Sequence, residues 1–183
     1  MKKFIDNLRL FLRRIIQVNM NAEKQELAVW NNLKKLHSDS DWKCGVYEKD
    51  KFVETHFEIA NEKYAAFFYK ISDLEFHCMV KIIENFPVEI TSDIFILASH
   101  FNNLIKSGRV EVNVTDKFVA YNYNCDLLVP LIYKGEIHRR MLNHYNLAKD
   151  IYWAFDKLIV ENEAPAIIIS DLLKKIESKA DES

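Results

Sequence analysis

Between residues 136 and 160 the apolar positions fall at Ile137, Met141, Tyr145, Ala148, Ile151, Tyr152, Phe155, Leu158 and Ile159. That spacing is the rhythm of a helix with one buried stripe. His138, Arg139, Arg140, Lys149, Asp150 and Asp156 fall on the opposite face. At 1.5 Å per residue the helix runs about 37 Å, long enough to cross a small sheet. The sheet it would cover is written in a rhythm of two. Val53, Thr55, Phe57 and Ile59 alternate with Glu54, His56 and Glu58, and further strands are expected at 64–71 and 74–84. Asn61-Glu62 and Ser72-Asp73 are short enough to make this an antiparallel meander. A helix over 92–107 follows, with Thr91 or Ser92 as its cap and Gly108 as its stop. A hairpin comes next, with strands at 110–114 and 118–124. Pro130 keeps the apolar run 126–133 from being a plain central strand. A short helix is expected over 166–176 and a fraying tail over 177–183.

Two helices precede the strands. The second spans 22–37 and ends in the turn residues Ser38, Asp39, Ser40 and Asp41. Residues 42–47 form a strand or an extended lead-in. The first helix, residues 3–18, is amphipathic and basic. Phe4, Leu8, Phe11, Leu12, Ile15 and Ile16 share one face; Lys3, Asp6, Arg9, Arg13 and Gln17 share the other. Such a helix binds a membrane surface or an anionic partner, or it packs on its own domain or on a second copy. Arg9, Arg13 and Arg14 interrupt any signal-peptide core. The order is ααβββαββαα, an α+β fold in which an antiparallel sheet of about five strands carries helices on one face. Residues 1–183 are read as one domain, with residues 1–20 as an additional N-terminal helix.

Composition narrows the function classes. An apolar fraction of 49% with 13% aromatic residues belongs to a globular chain, and three Gly and three Pro leave no flexible linker. A net charge of −2 does not recommend nucleic acid as a partner. Cys44, Cys78 and Cys125 are odd in number and lack a CxxC pair. A reducing cytoplasm therefore suits them better than a disulfide framework. No apolar run reaches the length of a membrane span.

No catalytic, cofactor-binding or metal residue is assigned. His77 and Cys78 are neighbours on a strand and point to opposite faces. His138 and His144 sit six apart on a helix, and a zinc site needs about four converging ligands; solvated or hydrogen-bonded histidines fit better. A Cys125–His100 pair supported by Asn102 and Asn103 is conceivable as a nucleophile, although buried cysteine is more often a small hydrophobe. Glu54, His56 and Glu58 fit the solvated face of a one-sided sheet. Arg139, Arg140 and Lys149 form a basic patch that Glu136, Asp150 and Asp156 dilute. The aromatic load is heavier than one helix-covered sheet face needs: Tyr64, Phe67, Phe68, Tyr69, Tyr121, Tyr123, Tyr133 and Trp153. A partly apolar second face would be covered by another subunit, by a client strand, or by the N-terminal helices.

The run Leu97-Ala98-Ser99-His100-Phe101-Asn102-Asn103-Leu104 is followed by Gly108, the strand Val110 to Val114, Phe118-Val119-Ala120-Tyr121 and Asp126-Leu127-Leu128-Val129-Pro130. Then come Tyr133-Lys134-Gly135-Glu136-Ile137, Lys149-Asp150-Ile151-Tyr152-Trp153-Ala154-Phe155 and Glu163-Ala164-Pro165-Ala166. Together these resemble the YbjN family of small bacterial proteins. The resemblance is carried from Thr91 onward, extends loosely over residues 52–86, and excludes the first forty residues. It implies a fold like that of the class I chaperones of type III secretion, which commonly dimerise and bind extended segments of clients. It supplies no active-site residues, and the additional N-terminal helix departs from the chaperone pattern. The expectation is a non-enzymatic protein-binding module, chaperone-like or regulatory, acting as a cytoplasmic homodimer without a cofactor. The alternatives are a small enzyme with a Cys/His pocket and a membrane-surface adaptor held by residues 3–18.

Overall fold

The computed structural model describes residues 2–133 and 135–181, with side chains at 8, 10–12, 14–133 and 135–175. Two helices open the chain, α1 (Lys2–Val18) and α2 (Ala22–Asp39). Four strands follow: β1 (Cys44–Tyr47), β2 (Phe52–Ala60), β3 (Lys63–Ser72) and β4 (Glu75–Glu84). A 3-10 turn (Val88–Ile90) leads to α3 (Thr91–Leu104), then β5 (Arg109–Asn113) and β6 (Phe118–Asp126). The chain ends with α4 (Leu128–Ile132), α5 (Glu136–Ile159) and α6 (Pro165–Asp181). The six-stranded sheet has the order β1-β2-β3-β4-β6-β5, so the fold is α+β with an antiparallel sheet, as its alternation predicts.

The sixth strand is β1, the segment left open between strand and lead-in. It pairs antiparallel with β2, Cys44 opposite Thr55 and Tyr47 opposite Phe52. Lys51, at φ 47, turns the chain between them. Along β2, β3 and most of β4 burial alternates. In β3, Ala65, Phe67, Tyr69 and Ile71 are buried while Tyr64, Ala66, Phe68 and Lys70 are not. In β4, Phe76, Cys78, Val80 and Ile82 are buried and His77, Met79 and Lys81 are half-exposed. The sheet is thus one-sided, with a core face and an amphipathic open face.

Several boundaries differ from the expected ones for physical reasons. Neither Thr91 nor Ser92 caps α3; the Thr91 hydroxyl instead donates to the Val88 carbonyl at 2.6 Å, closing the 3-10 turn that starts the helix. Helix α3 stops at Leu104, before Gly108. Pro130 lies within the first turn of α4, where a missing N–H costs no intrahelical bond. Helix α6 begins on Pro165 and continues to Asp181, beyond the expected stop. The β3–β4 turn holds two residues at positive φ, Asp73 at 56° and Leu74 at 60°.

By its contacts the chain divides into two compact units. The first comprises Met1–Thr55, Phe68–Cys78 and Asn124–Leu142. Its core is built on Trp30, Leu33, Tyr69, Phe76 and Leu131. His37 is also in it, 2% exposed, one turn beyond Leu33 on the same face of α2. Its Nδ1 donates to the Leu33 carbonyl at 2.9 Å, and its ring meets Trp42 edge-on at 5.5 Å. Burial pushes the His37 imidazole below its ordinary 6.5, and the Leu33 bond only partly opposes this. The unfolded chain therefore binds the proton that the folded chain refuses. His37 leaves stability intact above 6.5 and erodes it as pH falls into the interval below. Urea titrations between about pH 8 and pH 5 should show His37→Gln losing less stability on acidification than the wild type; parallel losses would exclude His37 as the source.

The second unit comprises His56–Phe67, Met79–Tyr123 and Asn143–Ser183. Phe101 of α3 stacks on Phe155 of α5 at 6.1 Å, and α3 also packs on β5 and α6. Asn102 holds the α3–β5 corner. Its Nδ2 donates to the Val110 carbonyl at 3.0 Å, and its Oδ1 accepts the Val110 N–H at 2.7 Å.

Candidate functional site

The histidines and cysteines occupy separate, individually explained positions. Cys78 is buried in β4, and burial drives its thiol far up; His77 is half-exposed, its Nε2 3.6 Å from the Glu75 carboxylate. His138 is exposed on α5, its ring 6.4 Å from Trp42. His144 departs from the solvated reading. It is 3% exposed and lies between the rings of Tyr121 at 5.6 Å and Tyr123 at 5.0 Å. The buried seam of α5 is Ile137, Met141, His144, Ala148, Ile151, Phe155 and Leu158. Steps of four and three alternate along it, so His144 holds a core position that its polarity concealed.

The elements of the conceivable Cys125–His100 pair have other roles. His100 is exposed on α3, and Asn102 is engaged with Val110. Cys125, half-buried in the first unit, is pushed up to about 12, first by burial and then by the carboxylates of Glu136, Asp126 and Glu75. A thiol so placed is a poor nucleophile near neutral pH, since the thiolate does the attacking. Among the described residues no group of three or more His, Cys, Asp or Glu side chains is placed to hold a metal ion.

On β2, Glu54 is half-buried while His56 and Glu58 are exposed. Glu58 has a local task, accepting the Glu62 N–H at 3.1 Å in the β2–β3 turn. The basic patch on α5 is largely paired. Arg139 and Arg140 each reach Glu136 at 2.6 Å, and Lys149 lies 5.4 Å over the Tyr145 ring. Glu136 is 8% exposed and holds Arg139 still more firmly protonated.

The second unit has an open cleft of about 680 Å³ along α5. Trp153 lies between Lys157 at 5.5 Å and Lys175 at 4.8 Å. Lys175 also pairs with Asp150 at 2.7 Å, and the Tyr152 hydroxyl donates to Asp156 at 3.0 Å. The lining contains no histidine or cysteine, and of its charges Asp150 and Lys175 are paired with each other.

Two apolar surfaces that lack cover lie in the first unit. Tyr47, Phe52 and Phe68 form an aromatic row on the open sheet face, with ring separations of 5.3 and 5.8 Å. Tyr47 at its end is 48% exposed. Strand β1 stands at the end of the sheet order, pairing with β2 alone. The other surface is α1. Its described apolar residues Leu8, Leu10, Phe11, Leu12, Ile15, Ile16 and Val18 are 43–62% exposed. Where this face is described, its side chains stand open. Phe4, Lys3, Asp6, Arg9 and Arg13 lie outside the described side chains. Among the described residues no helix is long and apolar enough to cross a membrane.

No family model matches the chain, and no curated protein or solved structure matches it either.

Proposed function

We propose that the chain is a non-enzymatic, YbjN-like protein-binding module of the cytoplasm, chaperone-like or regulatory in role, that acts as a homodimer. The observation that carries this reading is the uncovered β1 edge with its aromatic row. Edge strands are normally blocked by charge, proline or a bulge. Cys44-Gly45-Val46-Tyr47 contains neither charge nor proline, and Val46 and Tyr47 are both exposed. Two copies joined antiparallel about a centre between Gly45 and Val46 make a closed two-fold pair. That register sets Lys43 of each copy opposite Glu48 of the other, adding a cation to a carboxylate that already holds Lys34 and Trp30. An extended client segment would use the same edge and cover the same rings. The high thiol pKa of Cys125 supports the non-enzymatic part of the reading.

Light scattering after size exclusion tests it. The wild type should have twice the 21.6 kDa chain mass. Tyr47→Lys and Val46→Pro should each shift it toward the monomer with unchanged circular dichroism. A wild type that stays monomeric at high concentration, or a dimer indifferent to both variants, overturns the β1 interface.

A further inference from the structure

Helix α1 meets the rest of the first unit on the side that carries Arg14. Helix α1 lies against α4, Arg14 is partly covered, and its guanidinium sits 5.2 Å over the Tyr133 ring. Its apolar face is the exposed one. On a helical projection of 100° per residue, Val18, Phe11, Ile15, Leu8, Leu12 and Ile16 fill one continuous arc of about half the circumference. Each of them is at least 43% exposed. The helix is held in this pose. Gln25 of α2 donates to the carbonyls of Val18 at 3.1 Å and Met20 at 3.0 Å, and Asn19 donates to that of Ile15 at 2.8 Å.

Charge identifies what covers that face. Lys2, Lys3, Arg9, Arg13 and Arg14 stand against the single acid Asp6 in α1, whereas the remainder of the chain has 20 basic residues to 26 acidic ones. A second α1 laid on the first would bring two basic helices together, which like-charge repulsion opposes. A bilayer surface rich in anionic lipid satisfies both features: acyl chains take the apolar arc and headgroups take the flanking cations. Tyr133 beside Arg14 is 54% exposed, an aromatic suited to the headgroup level. We infer that α1 lies flat on an anionic membrane surface through Leu8, Phe11, Leu12, Ile15 and Ile16, holding the rest of the chain at that surface. This goes beyond the protein-binding reading and uses a different element.

The test is co-sedimentation of the full chain with phosphatidylcholine vesicles with and without phosphatidylserine. Binding is expected only where phosphatidylserine is present, and it should weaken as salt is raised. Phe11→Ser/Ile15→Ser should abolish it while leaving circular dichroism unchanged, since both side chains are exposed. Arg9→Gln/Arg13→Gln should weaken it about 25-fold, at roughly five-fold per cation. Tyr47→Lys should bind vesicles like the wild type, so failure of the dimer and failure of the anchor are read separately. Absence of binding to phosphatidylserine vesicles, or equal binding to neutral ones, overturns the inference. So does a Phe11→Ser/Ile15→Ser chain that loses dimer mass, because a second copy would then be the occupant.

Discussion

Gly108→Ala is expected to cost about 3 kcal/mol of folding stability, a fall of about 10 °C in Tm for a chain of this size. Gly108 links α3 to β5 at φ +73, where a side chain is strained whatever the surrounding space. Space is also missing. A Cβ there would clash with the Tyr121 hydroxyl and come within 2.6 Å of the Asn122 carbonyl oxygen. Tyr121 cannot swing aside cheaply, because its ring is buried and its hydroxyl donates to the Ser107 carbonyl at 2.9 Å. The Asn122 carbonyl belongs to β6, paired with Arg109 of β5. The clash therefore pushes against backbone already committed to the sheet. Gly135→Ala is the control. Nothing lies within 4 Å of its added Cβ, so its effect should stay within about 0.5 kcal/mol. Thermal melts of the two variants that coincided would show that the corner yields without cost.

The contrast between these glycines also shows what a sequence can disclose. Gly108 reads in one dimension as a helix stop; that it is hemmed in by Tyr121 and Asn122 depends on a strand that begins only at Phe118. The strand alternation and the α5 stripe were legible because burial and periodicity are the same fact seen twice. The polarity of His144 conceals its core position, although the alternating four-and-three steps of α5 pass through it. Helix α1 poses the opposite problem. Its apolar arc was legible, yet no periodicity says whether such an arc faces the protein or the solvent. The exposure of the arc decides it, together with Arg14 on Tyr133. Strand β1 was ambiguous because a short strand carries too few alternations to declare itself, and its identity comes from its register with β2. Asn102 stands beside His100 in sequence, but its work, gripping both backbone groups of Val110, joins residues of two different elements.

Glu136→Gln should lower stability by about 2 kcal/mol and make Cys125 easier to alkylate. Glu136 opens α5, where a carboxylate is favoured by the positive end of the helix dipole. It is nearly buried, accepts from Arg139 at 2.6 and 3.0 Å, and is ion-paired with Arg140, whose Nε lies 2.6 Å from its Oε1. A glutamine keeps the shape and removes the charge. The two guanidinium groups then crowd a positive helix end without their shared counter-ion. Much of Arg139 is exposed, so solvent screens its part of the loss, and Arg140, 18% exposed, bears more of it. The thiol responds with the opposite sign. After burial, Glu136 is the largest contributor holding Cys125 at about 12. Removing that charge brings the thiol down toward its ordinary value, while burial, Asp126 and Glu75 keep it above that value. The alkylation profile of Cys125 against pH should thus move to lower pH as the urea midpoint falls. Cys44 and Cys78 share the chain, so the alkylated residue must be identified by peptide mapping. An unchanged profile would mean that solvent already screens Glu136 from the sulfur, and an unchanged midpoint would mean that its two arginines find equal company elsewhere.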